Sequence, residues 1–264
     1  MGDFFTHARV LVGYELKQVR RNHLTWAALA CLAVLPPLMS MIFGSTIQVS
    51  GHPVAGQLKQ GYAVAVGLTA VHFLATLYVL CLCQERLGSS YLRQNDALVL
   101  SRSISRYAFW LGKLAGIVVP ALLYTALGLI LLAEEIWRHG GEFSFGILLA
   151  ELPYALGLTT VASIYLAARN SFGNFLIFFG WLLILPIIYF ANLWQLYSGV
   201  LREAGPQLGW LQILPQLGGV HAFAMGGAQY TLWRPAAAYS LVSVAVWLAV
   251  SLVVGAFAFH RKRL

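Results

Sequence analysis

The chain has 264 residues, of which 59% are apolar and only 10% charged. A soluble domain carries about 25% charged residues, so this composition excludes a soluble globular enzyme, a disordered chain and a secreted disulfide scaffold, and reads as an integral membrane protein. The formal net charge of +8 falls in short segments between apolar runs, where it marks topology and anionic-lipid contact rather than a nucleic-acid footprint.

Residues 1–23 read as an amphipathic helix at the membrane surface. Asp3 is placed to cap its start. Phe4, Phe5, Ala8, Leu11, Val12, Leu16 and Val19 recur at three- and four-residue steps and form one apolar stripe, with Arg9, Lys17, Arg20 and Arg21 off it.

Crossing a bilayer takes about 20 mostly apolar residues. Six stretches qualify: Leu24 to Phe43, Tyr62 to Cys83, Leu111 to Ala133, Ile147 to Ala168, Asn174 to Leu196, and Ala236 to Phe259. The first fills a bilayer by itself and is preceded by 23 residues, so it reads as a span rather than a signal peptide. Pro36-Pro37 and Pro186 are placed to bend spans one and five. Six spans put both termini on one side. Thirteen of the seventeen Lys and Arg residues fall on that side, which the positive-inside rule assigns to the cytoplasm.

Between spans two and three, residues 84–110 form the longest cytoplasmic loop, QERLGSSYLRQNDALVLSRSISRYAFW. An inert connector is much shorter, so contact with a cytoplasmic partner is expected of it. Outside, residues 197–235 are too apolar for a free loop, while Pro206, Pro215 and repeated glycines prevent a full span. Short re-entrant helices ahead of span six fit this composition, with Trp210, Tyr230 and Trp233 at headgroup level.

Little in the chain carries catalytic chemistry. There is no Walker A pattern, no HExxH and no GxSxG, so no catalytic residue is assigned and the chain is not expected to be an enzyme. Cys31, Cys81 and Cys83 lie in apolar runs without a CxxC pair, and the histidines form no ligand pattern, so no metal site is expected. His72 alone lies clearly mid-span. It reads either as a pathway-lining or proton-sensitive residue or as a neutral histidine bonded across helices. Glu134, Glu135 and Glu151 near the outer boundary read as an acidic vestibule or as boundary markers. Gly112 and Gly116 form one GxxxG at the start of span three.

Two features together resemble a known family. The first is Glu85-Arg86 at the end of span two, followed by ALVLSRSISRYAFWLGK over Ala97 to Lys113. The second is an amphipathic helix ahead of six spans, with a re-entrant segment before the sixth. The chain resembles the permease subunit of type-2 ABC exporters. In those permeases a glutamate ends span two, a leucine-leucine-serine-x-proline-x-serine-arginine run follows, and leucine-glycine-lysine opens span three. Glu85, Leu98, Leu100, Ser101, Ser105, Arg106, Leu111, Gly112 and Lys113 match. Ser103 stands in place of the proline, and Gly88-Ser89-Ser90 replaces a glycine-threonine pair.

The resemblance implies an all-α membrane protein: six transmembrane helices, an N-terminal interfacial elbow helix and short re-entrant helices before the sixth span, in a single permease domain over 1–264. It implies that Glu85, Arg86, Asp96, Ser101, Arg102, Ser105 and Arg106 couple the chain to an ATPase. It also implies that His72, Tyr78, Asn174 and Asn192, on spans two and five, line the path. The partners would be two copies of a separate ABC ATPase, which holds ATP and Mg, a second permease expected to form a homodimer, and membrane lipid. No cofactor is expected in this chain and no nucleic-acid partner. The location would be the bacterial inner membrane, multi-pass, with cytoplasmic termini. A membrane-anchor or assembly subunit of a respiratory or metal-cofactor complex and a secondary transporter are the alternatives.

Overall fold

The computed structural model describes residues 2–45, 48–49, 52–53, 56–88, 106–141, 145–168, 177–183 and 230–261. These residues are almost entirely helical. The elements are α1 (Gly2–Arg20), α2 (His23–Ala33), α3 (Leu35–Gly44), β1 (Gln48–Val49), β2 (His52–Pro53), α4 (Gly56–Gly88), α5 (Arg106–Arg138), α6 (Phe145–Ala168) and α7 (Tyr230–Arg261), with a short helical segment at 177–183. The two strands form a two-residue antiparallel ladder, Gln48 opposite Pro53 and Val49 opposite His52.

Among the described residues, three stretches are long and apolar enough to cross a membrane: His23–Gly44, Val66–Glu85 and Tyr107–Arg138. The first is made of α2 and α3. The helix breaks at Val34, and Pro36 and Pro37 in the first turn of α3 supply the cause, since neither has an amide to donate to the preceding turn. The expected bend of span one is therefore a division into two helices.

The chain turns between α1 and α2 at Arg21 and Asn22. Asn22 has an extended backbone, and its side-chain oxygen accepts from the Leu24 amide at 2.9 Å, capping α2. Thr25 donates its hydroxyl at 2.8 Å to the Val19 carbonyl, which also accepts from the Asn22 amide at 3.1 Å. Asp3 lies inside the first turn of α1, which starts at Gly2. It is not the residue ahead of the helix.

α4 and α5 have 33 residues each, about 50 Å of helix, well beyond a hydrocarbon core of about 30 Å. Part of their excess lies in the segment expected to be a loop. Gln84 to Gly88 continues α4, and Arg106 to Trp110 opens α5. Asp96, Ser101, Arg102 and Ser105 lie outside the described residues, as do Asn174, Asn192, Pro186 and most of the fifth predicted span. Residues 230–235, expected as part of the re-entrant segment, belong to the first turns of α7; 197–229 lie outside the described residues.

α5 continues through Pro120. It ends in a left-handed cap, with Gly140 at φ 72° and its amide bonded to the Trp137 carbonyl while the Gly141 amide reaches Ile136.

Side-chain contacts set the directions of the helices. Gly67 faces Leu132, Val71 faces Gly128, and the Tyr78 ring lies 5.0 Å from that of Tyr124, so α4 and α5 are antiparallel. Along α4 and α6 the contacts advance together: His72 with Glu151, Thr76 with Tyr154, Gln84 with Tyr165. Those helices are parallel. α6 and α7 are parallel too, through Thr160 with Val244, Ser163 with Ser251, and Ala167 with Gly255.

The core runs between α4, α5 and α6, closed by α2–α3 on one flank and by α7 on the other. The outer faces are apolar as well: Leu123, Leu127 and Ile130 on α5, and Val246, Val250 and Val253 on α7, are all exposed. A soluble protein rarely shows contiguous apolar faces of this size; a lipid-facing surface requires them.

Candidate functional site

Polar side chains gather at three depths of this bundle. The first gathering is at the foot of α5, where the amphipathic helix docks. The buried line of α1 is Leu11, Glu15 and Val19, each four residues from the next. It lies against Gly112 and Gly116. A Cβ at Gly112 would stand 2.9 Å from Leu11 Cβ, and one at Gly116 would stand 2.5 Å from Glu15 Cβ. The GxxxG of span three therefore receives α1, and both positions require glycine because the helices approach so closely.

Beside it, Lys113 Nζ lies 2.8 Å from Glu15 Oε1, with both side chains almost fully buried. The ammonium also sits 5.5 Å from the centroid of the Phe109 ring. Arg9, Lys17, Arg20 and Arg21 are exposed on the opposite side of α1.

The same helix ends against α4. The amide of Asn22, whose oxygen caps α2, donates to Glu85 Oε2. One side chain thus starts the first span and holds the carboxylate at the foot of α4. Arg86 follows on α4, and Arg106 opens α5. Glu85, Asn22, Glu15 and Lys113 tie α1 to both helices that flank the 89–105 interval.

The second gathering is mid-span. His72 is buried, and its Nε2 lies 2.9 Å from Glu151 Oε1 and 3.1 Å from Oε2. The ring stacks on Tyr154 at 3.7 Å. Tyr154 donates its hydroxyl to the His72 carbonyl at 2.6 Å, and Thr76 donates to the same carbonyl at 2.9 Å. Tyr78, one and a half turns along, is buried between helices, with its hydroxyl 3.0 Å from Thr25 Oγ1.

The third gathering joins α3 to the far end of α5. Ser40 donates to Glu135, which is buried, while Glu134 is exposed and pairs with Arg138 at 2.6 Å. His139 stacks on Phe43 with ring centroids 4.6 Å apart. Glu151, grouped with these carboxylates in the sequence, turns instead to His72. Among the described residues no three His, Cys, Asp or Glu side chains are grouped so as to hold a metal ion.

Sequence reasoning missed Glu15 and Asn22. Glu15 carried a signal: it stands on the apolar stripe of α1, midway between Leu11 and Val19, where a carboxylate requires a partner. Asn22 sat at the helix boundary, where a side-chain cap is common, but its second bond, to a residue 63 positions away, left no local mark. No protein-family model matches the chain, and no curated protein is similar to it in sequence.

Proposed function

We propose that the chain is the permease subunit of a type-2 ABC exporter, moving a substrate outward from the cytoplasm or inner leaflet with ATP hydrolysed by a separate subunit. The observation that carries this reading is the assembly at the foot of the bundle. Gly112 and Lys113, from the leucine-glycine-lysine element, and Glu85, from the end of span two, are the residues that receive the amphipathic helix. The residues that carry the family resemblance therefore meet the predicted elbow helix in one place. A load applied between α4 and α5 would pass directly to α1 and, through Asn22, to the first span.

The six-span arrangement is part of the proposal. α6 and α7 lie side by side and run in the same direction, so the chain leaves α6 at one end of the bundle and enters α7 at the other. One further crossing between them accounts for this, and the helical segment 177–183, with Ile177 in the core, belongs to that interval. Both termini then lie on the cytoplasmic side of a bacterial inner membrane. The exposed Arg9, Lys17, Arg20 and Arg21 would meet its anionic headgroups. Two permeases and two ATPases would complete the transporter.

The test is purification of the tagged chain in mild detergent from its native host. A stoichiometric soluble partner carrying a Walker A motif is the expected result. Haem or redox subunits in its place would overturn the reading in favour of a membrane anchor.

A further inference from the structure

A lone charge inside a membrane-crossing bundle is costly, and ionisable residues found there mark functional sites by default. His72 and Glu151 meet in such a position. Their side chains are 1% and 12% exposed, and His72 lies within the stretch Val66–Glu85. With Glu151 ionised, its two oxygens accept at 2.9 and 3.1 Å from a hydrogen on Nε2.

The ring is held in place for this. Glu151 and Tyr154 are one turn apart on α6. One takes the edge of the imidazole and the other its face, at 3.7 Å and nearly parallel. The His72 carbonyl is fixed by Tyr154 and Thr76 hydroxyls, whose oxygens are themselves 2.9 Å apart.

Other titratable groups on the helices packed against α4 are engaged elsewhere. On α5, Tyr124 donates to the Ala28 carbonyl, Glu135 accepts from Ser40, and Lys113 pairs with Glu15. On α2, His23 and Cys31 are exposed. On α6, Glu151 and Tyr154 face the ring, while Tyr165 donates to Gln84 further along.

We propose that His72 and Glu151 form a proton-binding site inside the bundle, whose occupancy sets the charge of the α4–α6 contact. With the proton bound, the pair is imidazolium and carboxylate, with no net charge. Release of one proton from the imidazolium to water leaves a neutral imidazole still donating from Nε2, and a net charge of minus one. In the deprotonated state an uncompensated carboxylate lies in an apolar contact, which weakens the packing of α4 on α6. Proton occupancy and helix contact are thereby linked.

The test uses the full chain in lipid nanodiscs with ¹⁵N-labelled histidine. An aqueous paramagnetic ion suppresses exposed histidines such as His23 and leaves His72. Its ring nitrogen shifts are followed from about pH 9 to about pH 5. The expected result is a one-proton transition between imidazole and imidazolium, with proton affinity altered at least about tenfold in E151Q. E151D, which keeps a carboxylate on a shorter stem, supplies the comparison where E151Q fails to insert. A ring that holds one protonation state throughout, or a transition unmoved by either substitution, overturns the proposal. The readout needs neither ATP nor a partner, so a negative result leaves the exporter reading standing, and the absence of an ATPase leaves the proton site standing.

Discussion

Glu15 and Lys113 form an ion pair of 2.8 Å in which both side chains are almost fully buried, one from a helix outside the apolar spans and one from the foot of α5. A buried pair contributes little beyond an apolar contact of the same shape, yet losing one partner removes the counter-charge that offsets the desolvation of the other. E15Q or K113M alone should therefore destabilise the chain by about 3–5 kcal/mol. The double variant E15M/K113M should cost much less than the sum. Thermal unfolding in detergent across the double-mutant cycle reads this coupling. Additive losses would mean that the two residues do not depend on each other.

The glycines beneath that pair set how close α1 can come. At Gly116 an added Cβ would stand 2.5 Å from Glu15 Cβ and 2.9 Å from Glu15 Cγ, so G116A forces the two helices apart. A cost of about 1–3 kcal/mol is expected, with G116V costing more. In a cysteine-free background, a thiol placed at Leu11 should react slowly with a membrane-impermeant reagent, and G116V should expose it. Equal labelling in the two backgrounds would count against docking of α1 at this position.

Asn22 performs two tasks that substitution can separate. N22D keeps the cap of α2, since aspartate caps as well as asparagine, but it sets a second carboxylate against Glu85. N22S keeps a cap and removes the amide donor. N22D should lower stability by about 1 kcal/mol, and E85Q should restore most of that loss by supplying an amide in place of the carboxylate. A denaturation series over N22D, E85Q and the pair decides it. If E85Q fails to rescue, the bond between the two side chains carries no weight.

What the sequence made legible is what depends on local covalent properties. The Pro36-Pro37 pair marked where the first span departs from a straight helix, as a bend in expectation and a division in the structure, because two successive residues lack an amide to donate. The facing of Arg9, Lys17, Arg20 and Arg21 away from the buried side of α1 followed from helical spacing. Helix ends were misplaced where hydropathy stops reporting: apolar runs measure the bilayer, while α4 and α5 continue through Gln84 to Gly88 and Arg106 to Trp110 on polar helix-forming residues. Partnerships were not legible. Spacing shows which face of α6 bears Glu151, but nothing local shows that His72, 79 positions away, receives it. That assignment needs the register between helices, which Thr76 beside Tyr154 and Gln84 beside Tyr165 supply.

The register also yields a topological prediction. The pairs Thr160 with Val244 and Ser163 with Ser251 advance together along α6 and α7. Antiparallel neighbours would advance in opposite senses, as Gly67 with Leu132 and Val71 with Gly128 do on α4 and α5. Two parallel helices in contact require an odd number of crossings between them. With α2–α3, α4 and α5 alternating in direction, one such crossing puts Ala168 and Arg261 on the side that holds Asn22, and Gly140 on the other. Single cysteines at Gly140 and near the C-terminus, in a cysteine-free background, should label from opposite faces of sealed vesicles. Gly140 should label from outside and the C-terminal position only after permeabilisation. Labelling of both from outside would require an even number of crossings between α6 and α7, and the parallel pairing of α6 with α7 would then be wrong.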